Sequence, residues 1–467
     1  MNTQEINSIF EAQKQNQYKV GASTVSERKT KLKMLKKAVE VTYRKAFQEA
    51  MWKDFHKSKE EVDLSEIFVV TNEINHTLHH LGQWMRDQKV PTPISFLGSS
   101  SKIKYEPKGV CLIISPWNFP INLCLGPLVS AIAAGNTAII KPSEMTPHTS
   151  GVINEMISAI FDKNEIAVIE GAVEESTALL SLPFNHIFFT GSPAVGKIVM
   201  AAAAKNLSSV TLELGGKSPT IIDETADLKT SARRISWGKY FNSGQICIAP
   251  DYIFVHESVK DQFVEEAKKT IEMFFGSQPS QSEDYTHIVN KGHTARLKNM
   301  IADAVAKGAT VTAGGTSDEA ANYIAPTILE NCSPDSLVMT EEIFGPIMPI
   351  VTYKNQSEVV KHINAGEKPL ALYIFSKSSK NIAYFLDNTR AGGTCINNNA
   401  LHFFNNDLPF GGSNNSGLGK SHGHFGFLEF SNARAIYKQH IPGALELLMP
   451  PYGNLKSKLI ELTVKYF

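Results

Sequence analysis

The sequence has few cysteines and no long apolar run, and both shortages limit what the protein can be. Its 467 residues contain only 5 cysteines, whose spacing fits neither a disulfide framework nor a zinc site. No apolar stretch reaches the roughly 18 residues that a membrane helix needs. The N-terminus also lacks the basic-then-apolar order of a signal peptide. We therefore expect a soluble protein of a reducing compartment, the cytoplasm, with no metal site and no membrane anchor.

Charge of one sign is not in excess either. Lys plus Arg and Asp plus Glu number 46 each, so nothing favours nucleic acid or acidic lipid as a partner. The lysines between residues 29 and 37 flank an apolar stripe at helical spacing, which indicates the solvated face of a helix. The length of the chain predicts two or three structural units rather than one core.

From Gly109 onward, short apolar runs alternate with helical patterns, which predicts a parallel sheet covered by helices on both faces. Helices are also expected over 27–53 and 61–86, a strand or hairpin over 94–106, and surface turns over 278–320. A second alternating block extends from Pro219 to Phe375 and predicts a second α/β unit. The strands expected in the first block are Val110–Ser115, Thr137–Lys141, Ile166–Glu170, His186–Thr190 and Val210–Leu214.

Two glycine-bounded segments carry a thiol and a carboxylate. Cys247 follows an Asn-Ser-Gly turn, and Glu213 ends an apolar run just before two glycines. Covalent acyl chemistry needs these two groups, because a thiolate attacks a carbonyl and a base later activates water. A lone cysteine is more often a small buried hydrophobe, which suits Cys111 and Cys124. The polar residues before Cys247 instead favour an accessible thiol.

Three further motifs allow a binding role or a plain structural one. The run from Gly191 to Gly196 can present the N-terminus of a helix to a pyrophosphate, with Ser192 as the cap, or it can simply start that helix. Lys141 and Glu144 follow a strand and suit either an adenosine ribose or an exposed turn. Asn118, between prolines, suits either a preorganised hydrogen-bond donor or a turn.

The runs LELGGKSP around Glu213 and FNSGQICIAPDY around Cys247 resemble the two active-site signatures of the aldehyde dehydrogenase superfamily. The continuation CIAPDY is similar to the class 3 branch, and matching segments extend from about Lys108 to Arg434. The resemblance implies an α/β aldehyde dehydrogenase fold made of three parts. These are a Rossmann-like cofactor domain (1–93 and 107–211), a second α/β catalytic domain (212–397), and an oligomerisation or bridging element (94–106 and 398–467).

The resemblance also implies roles for individual residues. Cys247 would be the nucleophile, Glu213 the base that activates water, and Asn118 the oxyanion donor beside the backbone N–H of Cys247. Glu342, in EEIFGP, would hold the nicotinamide ribose. The other residues expected to bind the cofactor are Lys141, Glu144, Gly191, Ser192, Gly196, Trp117 and Phe344.

The activity implied is NAD(P)-dependent oxidation of an aldehyde to a carboxylic acid, in a homodimer, with NAD as the expected cofactor and NADP possible. The carboxylate of Glu144 would disfavour the 2′-phosphate of NADP, although class 3 relatives often accept it. The alternatives are a coenzyme A-acylating dehydrogenase and a catalytically silent relative that serves as a binding or structural protein. Ser413 and Ser421 depart from the class 3 pattern and put the substrate pocket in doubt, while His422 suits either a pocket wall or a structural hydrogen bond.

Overall fold

The computed structural model describes residues 2–466. Its N-terminal part contains nine α-helices, most strands of one large sheet, and two strands of a small one. In chain order the elements are α1 (Thr3–Gly21), α2 (Val25–Lys37), α3 (Arg44–Phe55), α4 (Lys59–Val62), α5 (Phe68–Trp84), β1 (Gln88–Val90), β2 (Ser99–Pro107), β3 (Val110–Ile114), α6 (Asn122–Ala134), β4 (Thr137–Lys141), α7 (Pro147–Ile160), β5 (Ile166–Val168), α8 (Val173–Leu180), β6 (His186–Gly191), α9 (Pro193–Ala204) and β7 (Ser209–Leu214).

The second half of the described chain forms another sheet. After that sheet, the chain continues with a short strand, a helix, a long strand and a last helix. Its elements are β8 (Pro219–Ile222), α10 (Leu228–Tyr240), β9 (Tyr252–His256), α11 (Lys260–Phe275), α12 (Lys291–Ala306), β10 (Thr310–Ala313), β11 (Ser317–Asp318), β12 (Tyr323–Ile324), β13 (Thr327–Glu330), α13 (Leu337–Thr340), β14 (Ile347–Tyr353), α14 (Gln356–Ala365), β15 (Ala371–Phe375), α15 (Ser379–Asn388), β16 (Gly393–Ile396), β17 (Gly417–Leu418), α16 (Gly423–Glu429), β18 (Ser431–Gln439) and α17 (Asn454–Tyr466).

The first sheet has the order β17-β7-β6-β3-β4-β5, and all its pairings are parallel except that of β17 with β7. Its central strand β3 is an unbroken apolar run because helices cover both faces. Val110, Cys111, Leu112 and Ile113 are accordingly all buried. All six residues of β7 pair with β6, so the first sheet extends to Leu214, past the predicted domain boundary at 211.

The second sheet has the order β10-β13-β14-β9-β8-β15-β16, with only β10 antiparallel. Gly215 and Gly216 connect β7 of the first sheet to β8 of the second. Gly216 has φ of 158°, which a side chain rarely allows. The carboxyl ends of the first sheet's strands and the loops that precede β8, β9 and β14 of the second sheet consequently line one cleft. Ligands of α/β proteins bind at the carboxyl ends of such strands.

The third sheet consists of β1, β2 and β18, all antiparallel, with β2 in the centre. The predicted strand within 94–106 is β2, and nine residue pairs join it to β18 near the end of the chain. Seven of the nine β18 residues are exposed and one more is partly exposed, so this sheet projects from the main body.

Three sequence predictions of secondary structure were wrong in detail. The helix expected over 27–53 is interrupted by a π-helical turn at Ala38–Thr42, and the helix expected over 61–86 by one at Asp63–Ile67. The region 278–320 holds α12 as well as turns. Its buried residues, which include Thr294, Leu297 and Ile301, recur at helical spacing.

Candidate active site

Cys247 lies on a loop whose backbone is bent by three consecutive left-handed residues. Asn242, Ser243 and Gly244 have φ of 50°, 51° and 70°. A side chain at Gly244 would come within 2.4 Å of the carbonyl oxygen of Gly345, so only glycine fits there. The loop leaves Cys247 partly buried, where its thiol faces two adjoining cavities.

Asn118 is fixed directly against this loop. Its Nδ2 donates to the carbonyl oxygen of Gln245 at 3.0 Å, and the Nδ2 of Asn242 donates to the carbonyl oxygen of Asn118 at 3.1 Å. The Asn118 side chain is 2% exposed. An amide nitrogen carries two hydrogens, so this bond holds Asn118 in position and leaves it a second N–H to donate.

A buried ion pair packs against the residues that follow Asn118. The ammonium of Lys57 lies 3.5 Å from Glu66 and 4.1 Å from the ring centre of Phe119. Glu66 also accepts from the backbone N–H of Asn122 at 2.6 Å. Burial raises the pKa of Glu66 to about 7, against the opposing effect of Lys57. Sequence reasoning missed this ion pair, because nothing in a helical pattern marks Lys57 and Glu66 as a buried pair.

Glu213 lies near the carboxyl end of β7 and is 5% exposed. The hydroxyl of Ser421 donates a hydrogen bond to its carboxylate. Burial raises the pKa of Glu213, and the nearby His422, Ser421 and Lys420 partly oppose that rise. A carboxylate whose pKa is raised towards neutrality is a stronger base than a free one.

The cysteine itself differs from the sequence expectation of an accessible, reactive thiol. Burial raises the pKa of Cys247 well above its usual range, and the carboxylates of Glu213 and Glu342 raise it further. Burial also raises the pKa of Cys332, to about 11. Burial and the two carboxylates thus disfavour the thiolate of Cys247 in the free protein, and its reactivity requires a change in local charge or a proton acceptor.

The first cavity is a cleft of about 260 Å³ between the two sheets. Its walls include eight of the residues singled out in the sequence: Trp117, Asn118, Gly191, Ser192, Glu213, Cys247, Glu342 and Phe344. The side chain of Ser192 caps α9 by accepting from the N–H of Val195 at 3.4 Å. A side chain at Gly215 would come within 2.4 Å of Glu342, so the backbone lines the cleft there.

Lys141, Glu144 and Gly196 lie outside the walls of this cleft. Lys141 donates to the carboxylate of Glu144 at 3.2 Å and to the carbonyl oxygen of Pro142 at 2.9 Å. The Glu144 side chain is 43% exposed. A side chain at Gly196 would come within 2.7 Å of Leu214, which places Gly196 in the close packing of α9 on β7.

One wall of the cleft contains both aromatic rings and charged side chains. The ring centres of Trp117 and Phe344 are 5.4 Å apart in an edge-to-face arrangement. Glu342 accepts from the N–H of Gly216 at 3.0 Å, and burial raises its pKa to about 7. Two wall residues of α12, His293 and Arg296, were missed because that region was predicted to be surface turns.

A second cavity also borders Cys247 and is almost entirely apolar. The residues around it are Ser65, Phe119, Asn122, Leu123, Trp237, Gly238, Phe241, Ile246, Cys247, Ile248, Ala400, Phe403 and Phe404.

Ser413, by contrast, lies in a turn where its N–H donates to Ser416 at 2.9 Å. It lines neither cavity, so its departure from the class 3 pattern leaves both cavities unaltered.

A sequence model of the family described as "Aldehyde dehydrogenase family" matches residues 1–436. The chain belongs to the aldehyde dehydrogenase family. A relative from Staphylococcus aureus, 4,4'-diaponeurosporen-aldehyde dehydrogenase, is 44% identical over 94% of this chain and 95% of its own. Aldehyde dehydrogenase family 3 member B1 of Rattus norvegicus is 43% identical over 89% of this chain and 88% of its own.

Solved structures agree with this membership. The substrate-bound state of Staphylococcus aureus AldH superposes with a TM-score of 0.94 at 42% identity and covers 98% of this chain and 99% of that one. The predicted resemblance, the aldehyde dehydrogenase fold and the NAD(P)-dependent oxidation of aldehydes are thereby confirmed. Within residues 2–466, no helix of this aldehyde dehydrogenase combines the length and apolarity required to cross a membrane.

Proposed function

We propose that Cys247, Glu213 and Asn118 carry out the oxidation, and that the substrate is an apolar aldehyde. One observation carries this proposal. Cys247 faces both the polar cleft and the apolar cavity, so an aldehyde entering from one side meets a cofactor entering from the other at its thiol.

The chemistry follows from the contacts of these three residues. The Cys247 thiolate attacks the aldehyde carbon, and the free N–H of Asn118 stabilises the oxygen that gains negative charge. NAD or NADP, when bound, supplies the hydride acceptor. Once the carbon is oxidised, the acyl group remains on Cys247 as a thioester. Glu213 then removes a proton from water, which attacks the thioester and releases the carboxylic acid.

The residues of the cleft fit a dinucleotide. The N-terminus of α9, capped by Ser192, offers backbone N–H groups to a pyrophosphate. The wall formed by Trp117 and Phe344 suits a flat nicotinamide ring, with Glu342 beside it for the ribose hydroxyls. Lys141 and Glu144, at the end of β4, suit the adenosine ribose. Gly191 borders the cleft where backbone rather than side chain must approach the cofactor.

The apolar cavity supports an aliphatic or aromatic aldehyde rather than a charged or sugar-like one. A relative at 44% identity is named 4,4'-diaponeurosporen-aldehyde dehydrogenase. The aromatic walls of Phe119, Trp237, Phe403 and Phe404 would leave the hydroxyls of a polar substrate without hydrogen-bond partners.

Hydrolysis is favoured over transfer to coenzyme A. The rival acylating reaction needs no base for water, whereas here a buried carboxylate with a raised pKa lines the same cleft as the thiol. Steady production of NADH from an apolar aldehyde without coenzyme A is the expected result. A strict requirement for coenzyme A would overturn the hydrolytic route.

The test of the nucleophile compares two cysteine variants. Cys247→Ala should lose aldehyde oxidation, measured by NADH absorbance, by at least 1,000-fold, since removing a covalent nucleophile can cost on the order of 10⁶ in kcat. It should still bind NAD, because Cys247 only borders the cleft. Cys332→Ala, which changes a cysteine outside both cavities, should keep the parent rate. Activity of Cys247→Ala close to the parent rate would refute the mechanism.

A homodimer in the cytoplasm is the assembly that we propose. The strands β18 and β16 are the outer strands of their sheets, and an unpaired edge is a ready site for another chain. The residues of α17 and the turn before it expose many apolar side chains, including Leu455 and Leu462. All five cysteines are free, which supports a reducing compartment.

A further inference from the structure

A third cavity lies behind Glu213. The centre of a water molecule can reach about 20 Å³ of it, which is enough room for one molecule. Its polar lining residues are Glu73, Asn122, Ser130, Glu213, Ser421 and His422, and the other lining residues are apolar or glycine. Glu213 is therefore shared by the catalytic cleft and by this small chamber.

Two buried groups meet on the far side of the chamber. The Nδ1 of His422 lies 3.6 Å from an Oε atom of Glu73, and their side chains are 11% and 4% exposed. The other oxygen of Glu73 accepts from the N–H of Gly423 at 2.8 Å. The oxygen nearer to His422 accepts no hydrogen bond from any residue described. The contact thus holds the pair together and leaves one carboxylate oxygen of Glu73 without a hydrogen-bond donor among the described residues.

The backbone is strained to place His422 there. His422 has φ of 72° and ψ of 140°, a region that residues with a side chain rarely occupy. The next residue, Gly423, has φ of 49°, and a side chain on it would come within 2.2 Å of the carbonyl oxygen of Asn406. Such strain persists only where the surrounding structure enforces it, and here it turns the imidazole between Glu213 and Glu73.

His76 lies beside this pair, because a side chain at Gly423, whose N–H binds Glu73, would come within 2.9 Å of the imidazole of His76. His76 follows Glu73 by three positions on α5, so the two side chains share one face of that helix. The Nε2 of His76 lies 3.0 Å from Asp407, whose side chain is 80% exposed. The other titratable groups around His422 and Glu213 are His402, Lys420 and Cys247. Lys420 is occupied by the carbonyl oxygens of Gly411 and Gly412.

We propose that the proton which Glu213 takes from the hydrolytic water leaves through this chamber to His422 and Glu73 and reaches solvent at His76 and Asp407. The inference rests on the proposed role of Glu213.

As the water oxygen bonds to the thioester carbon, its O–H bond breaks and the proton passes to Glu213. The C–S bond then breaks and Cys247 leaves as the thiolate. Glu213 must release that proton before the next turnover, and His422 and Glu73 accept it in turn. Both act through Glu213 and are positioning residues.

The test uses Glu73→Gln and His422→Ala with the full chain, an apolar aldehyde and NAD in a stopped-flow spectrophotometer. Both variants should form one NADH per subunit in a burst at the parent rate, and then turn over at least tenfold more slowly. Imidazole added to His422→Ala should restore a large part of the steady rate, because a small base can occupy the vacated space. The matched control is His424→Ala, whose ring stacks on Trp84 at 5.5 Å instead.

The outcomes separate this inference from the proposed function. A burst with a slow, imidazole-dependent steady phase supports the proton path. An unchanged steady rate in both variants overturns the path while leaving Cys247 and Glu213 in their roles. A lost burst in both variants indicates a structural role for the pair and also overturns it. If Cys247→Ala were active, the proposed function would fail irrespective of these variants.

Discussion

The hydroxyl of Ser421 donates a hydrogen bond to the carboxylate of Glu213 across 208 positions of sequence. Ser421 follows β17, which pairs with β7 at Gly417 and Glu213. The C-terminal segment therefore reaches back to the base that we propose for hydrolysis. The sequence pointed to Ser421 only as a departure that affected the substrate pocket, whereas the structure places its hydroxyl on the carboxylate that we propose as the base.

The first prediction concerns this bond. The donor lowers the pKa of Glu213, so Ser421→Ala should raise that pKa. Glu213 acts as a base only in its charged form, so the rise of kcat with pH should move to higher pH. A hydrogen bond to a charged group contributes about 1.5–3 kcal/mol, and 1.36 kcal/mol corresponds to one pKa unit. The expected displacement is therefore roughly one to two pH units. Ser413→Ala is the control, and an unmoved profile in Ser421→Ala would contradict the argument.

The second prediction concerns the base itself. Glu213→Gln keeps the size of the side chain but cannot take a proton from water. Acylation should still occur, and hydrolysis should become slow, so one NADH per subunit should appear in a burst followed by a rate at least 100-fold below the parent. Stopped-flow absorbance measures both phases. Steady turnover at the parent rate would remove Glu213 from the hydrolytic role.

The third prediction uses charge at the thiol. The carboxylates of Glu213 and Glu342 raise the pKa of Cys247, so removing one negative charge should lower it. Glu213→Gln without cofactor should then react with iodoacetamide faster at Cys247 than the parent does at pH 8, by about tenfold for each pKa unit. Peptide mass spectrometry identifies the modified cysteine. A slower reaction would show that Glu213 deprotonates Cys247 instead, and Glu144→Gln, outside the cleft, should change nothing.

Much of the fold could be predicted from local patterns. The predicted strand Thr137–Lys141 matches the structure residue for residue, and His186–Thr190 and Val210–Leu214 agree with it to within one residue, because buried parallel strands are short apolar runs with clear ends. Helix interruptions could not be predicted, since the π-helical turn at Ala38–Thr42 preserves an apolar pattern and alters only which residues face the core.

The candidate site likewise contains residues that the sequence could predict and residues that it could not. Cys247, Glu213 and Asn118 lie in short motifs that were visible in the sequence. His293 and Glu73 belong to helices whose only local signal is burial, and their contacts are made across long stretches of chain. The pKa of Cys247 could not be predicted at all, because it depends on carboxylates that approach from β7 and from the loop before β14.

The fourth prediction concerns the cofactor preference. Glu144 pairs with Lys141 at 3.2 Å and leaves much of its carboxylate exposed, so its charge would repel a 2′-phosphate. Glu144→Gln should raise kcat/KM for NADP relative to NAD by roughly tenfold, the effect of about 1.4 kcal/mol. Lys141→Ala should raise the KM for cofactor and leave the KM for aldehyde close to the parent value. An unchanged ratio in Glu144→Gln would refute its place at the ribose.

The last prediction concerns assembly. Apolar side chains of the tail are exposed in the single chain, among them Leu447, Leu455, Leu462 and Val464. Soluble monomers rarely leave so large an apolar surface uncovered, and a two-fold dimer covers the same patch on both subunits. Analytical ultracentrifugation at micromolar concentration should give about twice the chain mass of 51.4 kDa.

Two charged variants test which surface forms the dimer. Leu455→Glu with Leu462→Glu should weaken the dimer at least tenfold, because each buries a charge in the apolar contact. Val173→Glu, at the exposed start of α8, is the matched control and should leave the mass unchanged. The rate of a single turnover at Cys247 should persist in the double variant, since α17 lies outside both cavities. A parent protein that sediments as a monomer with full activity would contradict the dimer, and a stable tetramer would contradict the class 3 assembly.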